Sequence, residues 1–573
     1  MISDARTRQP RVDLSAPPGA RSLLVSAATS PLAVIAAVTL WRALVAWMTP
    51  VAQDEAYYYD WSQALAWGYF DHPPAVALLG LGQLLLPGSA FAARLGALLL
   101  STLTLLVLWR FYRACGIRRE PLLSLTLLLA AATFPGLISG VLTTPDTVLA
   151  LFWVLALHEA LAALSGQRRR WLTAGVATGL GLLGKYTMLM IGPVFLIGLL
   201  VADRRALRTP WPYLGGLAAL LVFLPNLIWN AQHDWLTLRF QFGHGFMADT
   251  GAISLPAERL LGAPAATSGE HADAAALDSG ARLTGVGSFA AVQLLFWGLP
   301  LLVALAAPIT GARWTRSLAR LRECLSTPGL VLLGAAALVP LLLFGSIAAG
   351  SPVEPNWAAL YIVGAAPLLA AAVQPLLRWA VAGAATNALL LSIYAAHAAT
   401  AALPLPHAAD RVLRETNGYP ALAAHVAGVE GPIFVDRYQT AAMLNFYGAG
   451  TRATQWPGLT RPSEYGLGRI VPIPDLATLR ETGFTLVAWK YALPEIPGFR
   501  MTTAETLFDC RGAPLHLVPD IAWPDASPCG EDWLHIWRVL RYEAAAAPAV
   551  GGDEAPRRQD PPTASAVSGA PHG

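Results

Sequence analysis

Stretches of about 20 predominantly apolar residues, the length of helix that crosses a bilayer, recur near 31–50, 88–109, 121–142, 146–164, 211–229, 288–309, 328–349, 357–374 and 379–402. A tenth run, 171–202, is too long for one ordinary span and carries Lys185 in its middle. An ammonium at the bilayer centre costs about 2.5–3.5 kcal/mol, so two short or tilted helices meeting near Lys185 are predicted. The count becomes eleven spans. With the N-terminus inside the cell, everything after about residue 403 lies outside.

The distribution of Lys and Arg tests that count, because cytoplasmic loops collect them. The connections predicted to be cytoplasmic hold Arg110, Arg113, Arg118 and Arg119, then Arg168 to Arg170, then Arg204, Arg205 and Arg208, then Arg313, Arg316, Arg320 and Arg322, then Arg378. The opposite loops are acidic, with Asp54, Glu55, Asp60, Asp71, Asp146 and Glu354. A miscounted span would put these two sets out of phase. Over the 573 residues, 55% of side chains are hydrophobic and 13% charged, against roughly a quarter charged in soluble domains. The net charge of +3 is segregated along the chain and forms no basic face, so nucleic acid is set aside as a partner. The first thirty residues are polar and Arg-bearing, with no cleavable signal peptide evident, and are expected to remain cytoplasmic.

The pattern predicts an all-α polytopic membrane domain over 31–402 with external loops at 51–87 and 230–287. It is followed by a small external α/β domain over 403–545 and a disordered tail over 546–573. Helix-like runs (RVLRETNGYPALAAHVAG, QTAAMLNFYG) alternate with strand-like runs (GPIFVDRY, FTLVAWKYAL, WLHIWRVLRY) in the external domain, which is the reason for the α/β assignment. Cys510 and Cys529 fall there and would suit a disulfide in an oxidising compartment, whereas Cys115 and Cys324 fall in cytoplasmic connections and should stay reduced.

Several polar residues are candidates for chemistry. The first external loop, VAQDEAYYYDWSQALAWGYFDHPPAVALL, places Asp54 and Glu55 directly after the first span and Asp71 and His72 just before the chain returns to the membrane. Adjacent carboxylates at a membrane surface suit a general base, a divalent-metal ligand or a clamp for a polar substrate, and spacing does not choose among them. Solvated loop acids are the plainer reading. Asp146 follows TTP at the start of the fourth span, where it could cap the helix. Lys185 needs a partner or a water-filled cavity around it, and an anionic substrate would serve. His233, Arg239 and His244 in NAQHDWLTLRFQFGHGF, and Glu354, Asn356, Trp357 and Tyr361 in SPVEPNWAALY, could equally be interfacial packing.

In order and sidedness, DEAYYYDWS with YFDHPP, TTPDTVLALFW, GLGLLGKYT, LPNLIWNAQHDW with FQFGHGF, EPNWAALY and DRYQTAAMLNFY resemble the GT-C membrane glycosyltransferases. The resemblance is to the bacterial branch similar to dolichyl-phosphate-mannose protein mannosyltransferases and lipid A aminoarabinose transferases (family 39-like), and covers about residues 30–450. It implies a bacterial inner-membrane enzyme with its site facing the periplasm. Such an enzyme transfers a sugar from a polyprenyl-phosphate donor, with inversion, to an envelope glycolipid such as lipopolysaccharide or lipid A. Asp54 would be the general base or a metal-linked carboxylate, Glu55 would position donor or acceptor, and Asp146 would be a further acid of the site. Lys185 would lie near the lipid phosphate, with Arg239, His72, His244 or a divalent cation assisting, and Tyr361 is a looser match to a phosphate-contacting Tyr. His72 stands where aminoarabinose transferases carry Lys, which argues against aminoarabinose as the sugar. A secreted-protein acceptor, as for a protein O-mannosyltransferase, or a lipid-linked sugar flippase are the alternatives, although no internal repeat of the kind transporters carry is present.

Overall fold

The computed structural model describes residues 30–246, 252–263, 266–267, 279–308, 314–407, 409–448, 450–489, 493–511, 513–518, 527–530 and 532–545. The tails 1–29 and 546–573, on which a cytoplasmic and a disordered segment were expected, lie outside them.

The membrane part is a bundle of apolar helices. By length and composition, six are able to cross a membrane: Pro31–Met48, Ala90–Cys115, Pro145–Leu164, Trp211–Gln232, Thr327–Ile347 and the 40-residue stretch Tyr361–Thr400. Counting one bent pair makes seven among the described residues, so eleven is not what the helices display. The shortfall is one of hydrogen-bond continuity. The run 121–142 forms Glu120–Ala131 and then a separate short helix, Phe134–Ile138, whose second residue is Pro135. Twelve helical residues rise only about 18 Å. The run 288–309 is bent by 92° between Arg282–Leu295 and Leu299–Ala306. Gly298 makes that bend at φ +58°, and a Cβ there would meet Asn387 Oδ1 at 2.4 Å, so both the backbone conformation and the close approach demand glycine. The break expected near Lys185 is present, between Arg170–Leu182 and Ile191–Ala202, with a 3₁₀ turn at Tyr186–Met190.

One stripe of each outer helix carries bare apolar side chains. Leu40 is 72% and Trp47 75% exposed on Pro31–Met48, and Leu217, Leu220, Leu221 and Leu224 line an exposed stripe of Trp211–Gln232. In water such surfaces would aggregate; against acyl chains they are the solvated face. The opposite faces pack into one large core running through Leu105, Phe111, Trp153, Leu157, Leu332 and Ala366.

The last span, Leu377–Thr400, leads into a domain built on a six-stranded mixed sheet. Its order is Ala453–Gln455, Ile433–Val435, Phe484–Trp489, Trp533–Ala544, Phe499–Cys510, His516–Val518. The first three strands are parallel and the rest antiparallel. Helix Tyr438–Tyr447 lies against helix Gln53–Gln63 of the first loop, with Tyr57 and Tyr438 rings 4.6 Å apart and Tyr59 and Phe446 rings 4.9 Å apart. Polar pins fix this docking: Asp60 accepts from Tyr465 Oη at 2.6 Å and Asn445 Nδ2 at 2.8 Å, and Glu464 accepts from the Phe70 N–H at 2.8 Å.

Cys510 and Cys529 are bonded across 19 residues of sequence, with Cα atoms 5.5 Å apart. A loop of that size removes denatured-chain entropy worth about 3 kcal/mol. Reduction, or the double change Cys510→Ser with Cys529→Ser, is therefore expected to make the sheet end around Phe508 and Ile536 more protease-sensitive. Limited proteolysis with and without reductant reads the effect, and equal cleavage rates would contradict it.

Candidate active site

The first loop turns back as a helix, Gln53–Gln63, five residues after the first span ends at Met48. Consecutive helical residues point about 100° apart. Asp54 and Glu55 therefore cannot face the same way. Asp54 faces a cavity of about 350 Å³ bounded by Tyr57, Tyr58, Asp71 and His72 of the same loop, Asp146, Lys185, Phe240, Gln241, Glu354, Trp357, and Tyr438 and Arg461 of the C-terminal domain.

Glu55 turns the other way, and the role given it as a substrate-positioning acid is corrected. It is buried and receives Arg94 Nε at 2.8 Å, with Arg94 NH2 on its other oxygen. It also accepts the Thr143 N–H at 2.9 Å and the Ala52 N–H at 3.1 Å. Arg94 completes the knot by donating to the carbonyls of Ala46, Thr49 and Pro50. This cluster ties the end of the first span, the start of the loop helix and the TTPD segment into one piece. The Asp54/Glu55 pair consequently cannot chelate a cation, and no group of three or more His, Cys, Asp or Glu side chains able to hold a metal occurs among the described residues.

Lys185 is 6% exposed and sits in the break between two short helices. Gly184 precedes it where the helix Pro145–Leu164 comes so close that a Cβ would meet Val148 Cγ1 at 2.7 Å. That approach brings Lys185 Nζ to 2.9 Å from both oxygens of Asp146, whose Oδ2 also accepts from Asn356 Nδ2 at 2.8 Å. Asp146 lies in the first turn of its helix, where the helix dipole favours a carboxylate. It is thus the counter-ion of Lys185.

On the far wall, Arg461 NH1 donates to Asp71 Oδ1 at 2.8 Å and Tyr57 Oη to Asp71 Oδ2 at 2.8 Å. The guanidinium lies 4.3 Å over the Tyr438 ring. Four carboxylates and two strong cations line the cavity. Each cation is paired, Lys185 with Asp146 and Arg461 with Asp71, which leaves Asp54 and Glu354 without an ion pair among the described residues. Asp54 Oδ1 accepts one hydrogen bond, from Tyr438 Oη at 3.2 Å. Protein surrounds its cavity, and burial followed by the charge of Glu415 raises its pKa, while the Tyr438 bond and Arg461 oppose the rise. Because the carboxylate itself is exposed to the cavity, water there tempers the effect. His72 lines the same cavity and is held neutral: burial first, then the charge of Lys185, bring its pKa down to about 4.

The remaining expected residues lie elsewhere. Arg239 pairs with Asp234 and is not on the cavity wall, which the next two residues, Phe240 and Gln241, occupy instead. Tyr361 is buried in the helix bundle and donates to the Gln293 carbonyl at 2.6 Å, so it does not reach this cavity. The His244 side chain falls outside the described residues. Tyr438 and Arg461 were not among the expected site residues. DRYQT gave a faint signal for Tyr438, and nothing local to GLTRPSEYG marks Arg461.

Residues 71–229 match the family model for dolichyl-phosphate-mannose-protein mannosyltransferase. Over 220 residues, the chain is 32% identical to lipid A galacturonosyltransferase RgtD of Rhizobium johnstonii; the match spans 37% of this chain and 45% of that protein, less than half the relative's length. In fold it is similar to ArnT from Cupriavidus metallidurans bound to undecaprenyl phosphate, with a TM-score of 0.55 at 15% identity, covering 89% of this chain and 97% of that one. The same protein in its apo state gives 0.54 at 16% identity with the same coverage. Matched segment and fold thus agree with the resemblance to the GT-C membrane glycosyltransferases read from the sequence.

Proposed function

We propose that this chain transfers a sugar from a polyprenyl-phosphate donor to an envelope glycolipid on the periplasmic side of a bacterial inner membrane, with Asp54 as the general base. The observation that carries the reading is the state of Asp54: a carboxylate facing a cavity at the membrane surface, held by one tyrosine hydroxyl and not neutralised by an ion pair. Such a group can take the proton of an acceptor hydroxyl as its oxygen attacks the anomeric carbon and expels polyprenyl phosphate, which inverts that carbon. Lys185 has three N–H donors and spends two on Asp146. In this reading the third meets a phosphate oxygen of the leaving group, where charge develops. His72 stays neutral and serves by shape and hydrogen bonding. If the acceptor is itself a phosphate, Asp54 positions it and removes no proton.

The glycolipid acceptor draws on the likeness to a protein described as a lipid A galacturonosyltransferase. A second reading, transfer to secreted proteins, draws on the description of the matched family. Membranes carrying the chain, incubated with radiolabelled polyprenyl-phosphate sugars and total envelope lipids and proteins, separate the two: label in the lipid fraction supports the first, label in protein the second. No transfer from any donor would overturn both.

The pH profile of that transfer is a separate check. A base must be deprotonated, and the Asp54 pKa is raised above its ordinary 3.8. The rate is therefore expected to rise with pH through an ionisation above the usual carboxylate range and to fall away as pH drops through it. His72, already neutral above about 4, should add no step near neutrality. A step near neutral pH that disappears in His72→Gln would contradict the roles given to both residues.

A further inference from the structure

The two residues that flank Asp54 in sequence are both tied down, and in different directions. Glu55 is clamped by Arg94. Gln53, the first residue of the same helix, is fastened to the C-terminal domain: its Nε2 donates to the Tyr419 hydroxyl at 2.6 Å and to the Arg414 carbonyl at 3.2 Å. Residues two apart lie about 200° from one another around a helix axis. With Gln53 and Glu55 both held, the first turn is not free to roll, and the direction in which Asp54 faces is set from both sides.

The Arg414 carbonyl is one of the last four in helix Arg411–Thr416, which have no amide partner within their own helix. It is held from outside by His535 of the strand Trp533–Ala544, whose Nε2 lies 2.7 Å away. A carbonyl has no proton to give, so Nε2 carries the hydrogen. Asp509 Oδ2, 2.6 Å from Nδ1, keeps the ring in that orientation and is itself steadied by Asn417 Nδ2 at 3.0 Å. The imidazole is fully buried, stacked on Trp537 with ring centres 4.6 Å apart. Gly418, at φ +73°, passes where a Cβ would meet Asp509 Oδ2 at 2.4 Å. A polar dyad in the middle of this aromatic core is thus aimed at the carbonyl that holds Gln53.

We propose that His535 is a positioning residue for sugar transfer: it holds the Arg414 carbonyl, the carbonyl holds Gln53, and Gln53 together with Glu55 aims Asp54 into its cavity. The inference rests on the reading of Asp54 as general base. It gives the C-terminal sheet a part in turnover in addition to Tyr438 and Arg461, which the same domain places on the cavity wall.

The test uses the full chain in detergent, with samples matched for folded protein, and reads turnover and helix order separately. His535→Phe keeps a ring against Trp537 and removes both hydrogen bonds. Gln53→Met breaks the chain from the loop side and leaves the C-terminal domain intact. Each is expected to lower turnover about tenfold, the upper range for one lost hydrogen bond, with the donor KM within about a factor of two of wild type, as for an interaction felt in the transition state. The double variant should fall no further than the worse single, because both changes break one chain. His535→Gln retains a donor of similar reach and should recover most of the loss. Hydrogen–deuterium exchange at the amides of residues 53–57 should quicken in His535→Phe and in Gln53→Met, whatever the sugar chemistry. If His535→Phe does not fold, His535→Met set against His535→Gln, a pair of like size that differs in the donor, replaces it. Losses that multiply in the double variant, turnover equal to wild type in either single, or exchange unchanged by the His535 variant would overturn the proposal and leave Asp54 as base untouched. A wild type that transfers no sugar would overturn the transferase reading, and the positioning role with it.

Discussion

Asp54→Asn is expected to lower sugar transfer by about 10²–10⁴-fold, the range that a positioned general base supplies, with the amount of folded protein unchanged. The change preserves shape and can still accept from Tyr438, the one hydrogen bond the Asp54 side chain makes among the described residues. It removes only the ability to take a proton. Measured in membranes matched for folded chain, the loss should fall on turnover more than on donor affinity, because the base acts in the transition state. Activity within a factor of about two of wild type would strip Asp54 of the role, given the size of effect a general base contributes.

Arg94→Ala should do the reverse, harming the fold before the chemistry. Removing one member of a buried ion pair leaves the other uncompensated, at a cost of about 3–5 kcal/mol. Glu55 would be that uncompensated charge, and the carbonyls of Ala46, Thr49 and Pro50 would lose their donors as well. The expected result is a large drop in thermal midpoint and in yield of the detergent-solubilised chain, seen by fluorescence-detected size exclusion. Glu55→Ala should behave alike. If either variant were as stable as wild type yet inactive, Glu55 would belong with the reacting groups after all.

These two neighbours show what could and could not be read from the sequence. Asp54 and Glu55 look equivalent as letters, and only the turn of a helix separates a carboxylate facing a cavity from one clamped by arginine. Lys185 was readable because an ammonium in an apolar run demands a partner; that the partner is Asp146, 39 residues earlier, is a matter of packing. Arg239 and Tyr361 carry suitable chemistry but point into an ion pair with Asp234 and into the helix bundle. Most long helices followed from apolar runs, since composition governs burial in lipid. Composition does not register where a proline or a glycine interrupts the hydrogen-bond ladder, which is why 121–142 and 288–309 broke. Arg461 was invisible because its meaning lies in Asp71, 390 positions away in the chain.

The docking of the C-terminal domain also sets an order of events in the life of the chain. Tyr438 and Arg461, which close the cavity over Asp54, are made after the last span, Leu377–Thr400. A nascent chain with all its membrane helices inserted still has an open bowl at the membrane surface where the finished protein has a chamber. The chamber comes into being only when the C-terminal segment has folded its sheet and settled on the first loop. Completion of synthesis is thereby built into the assembly of the site.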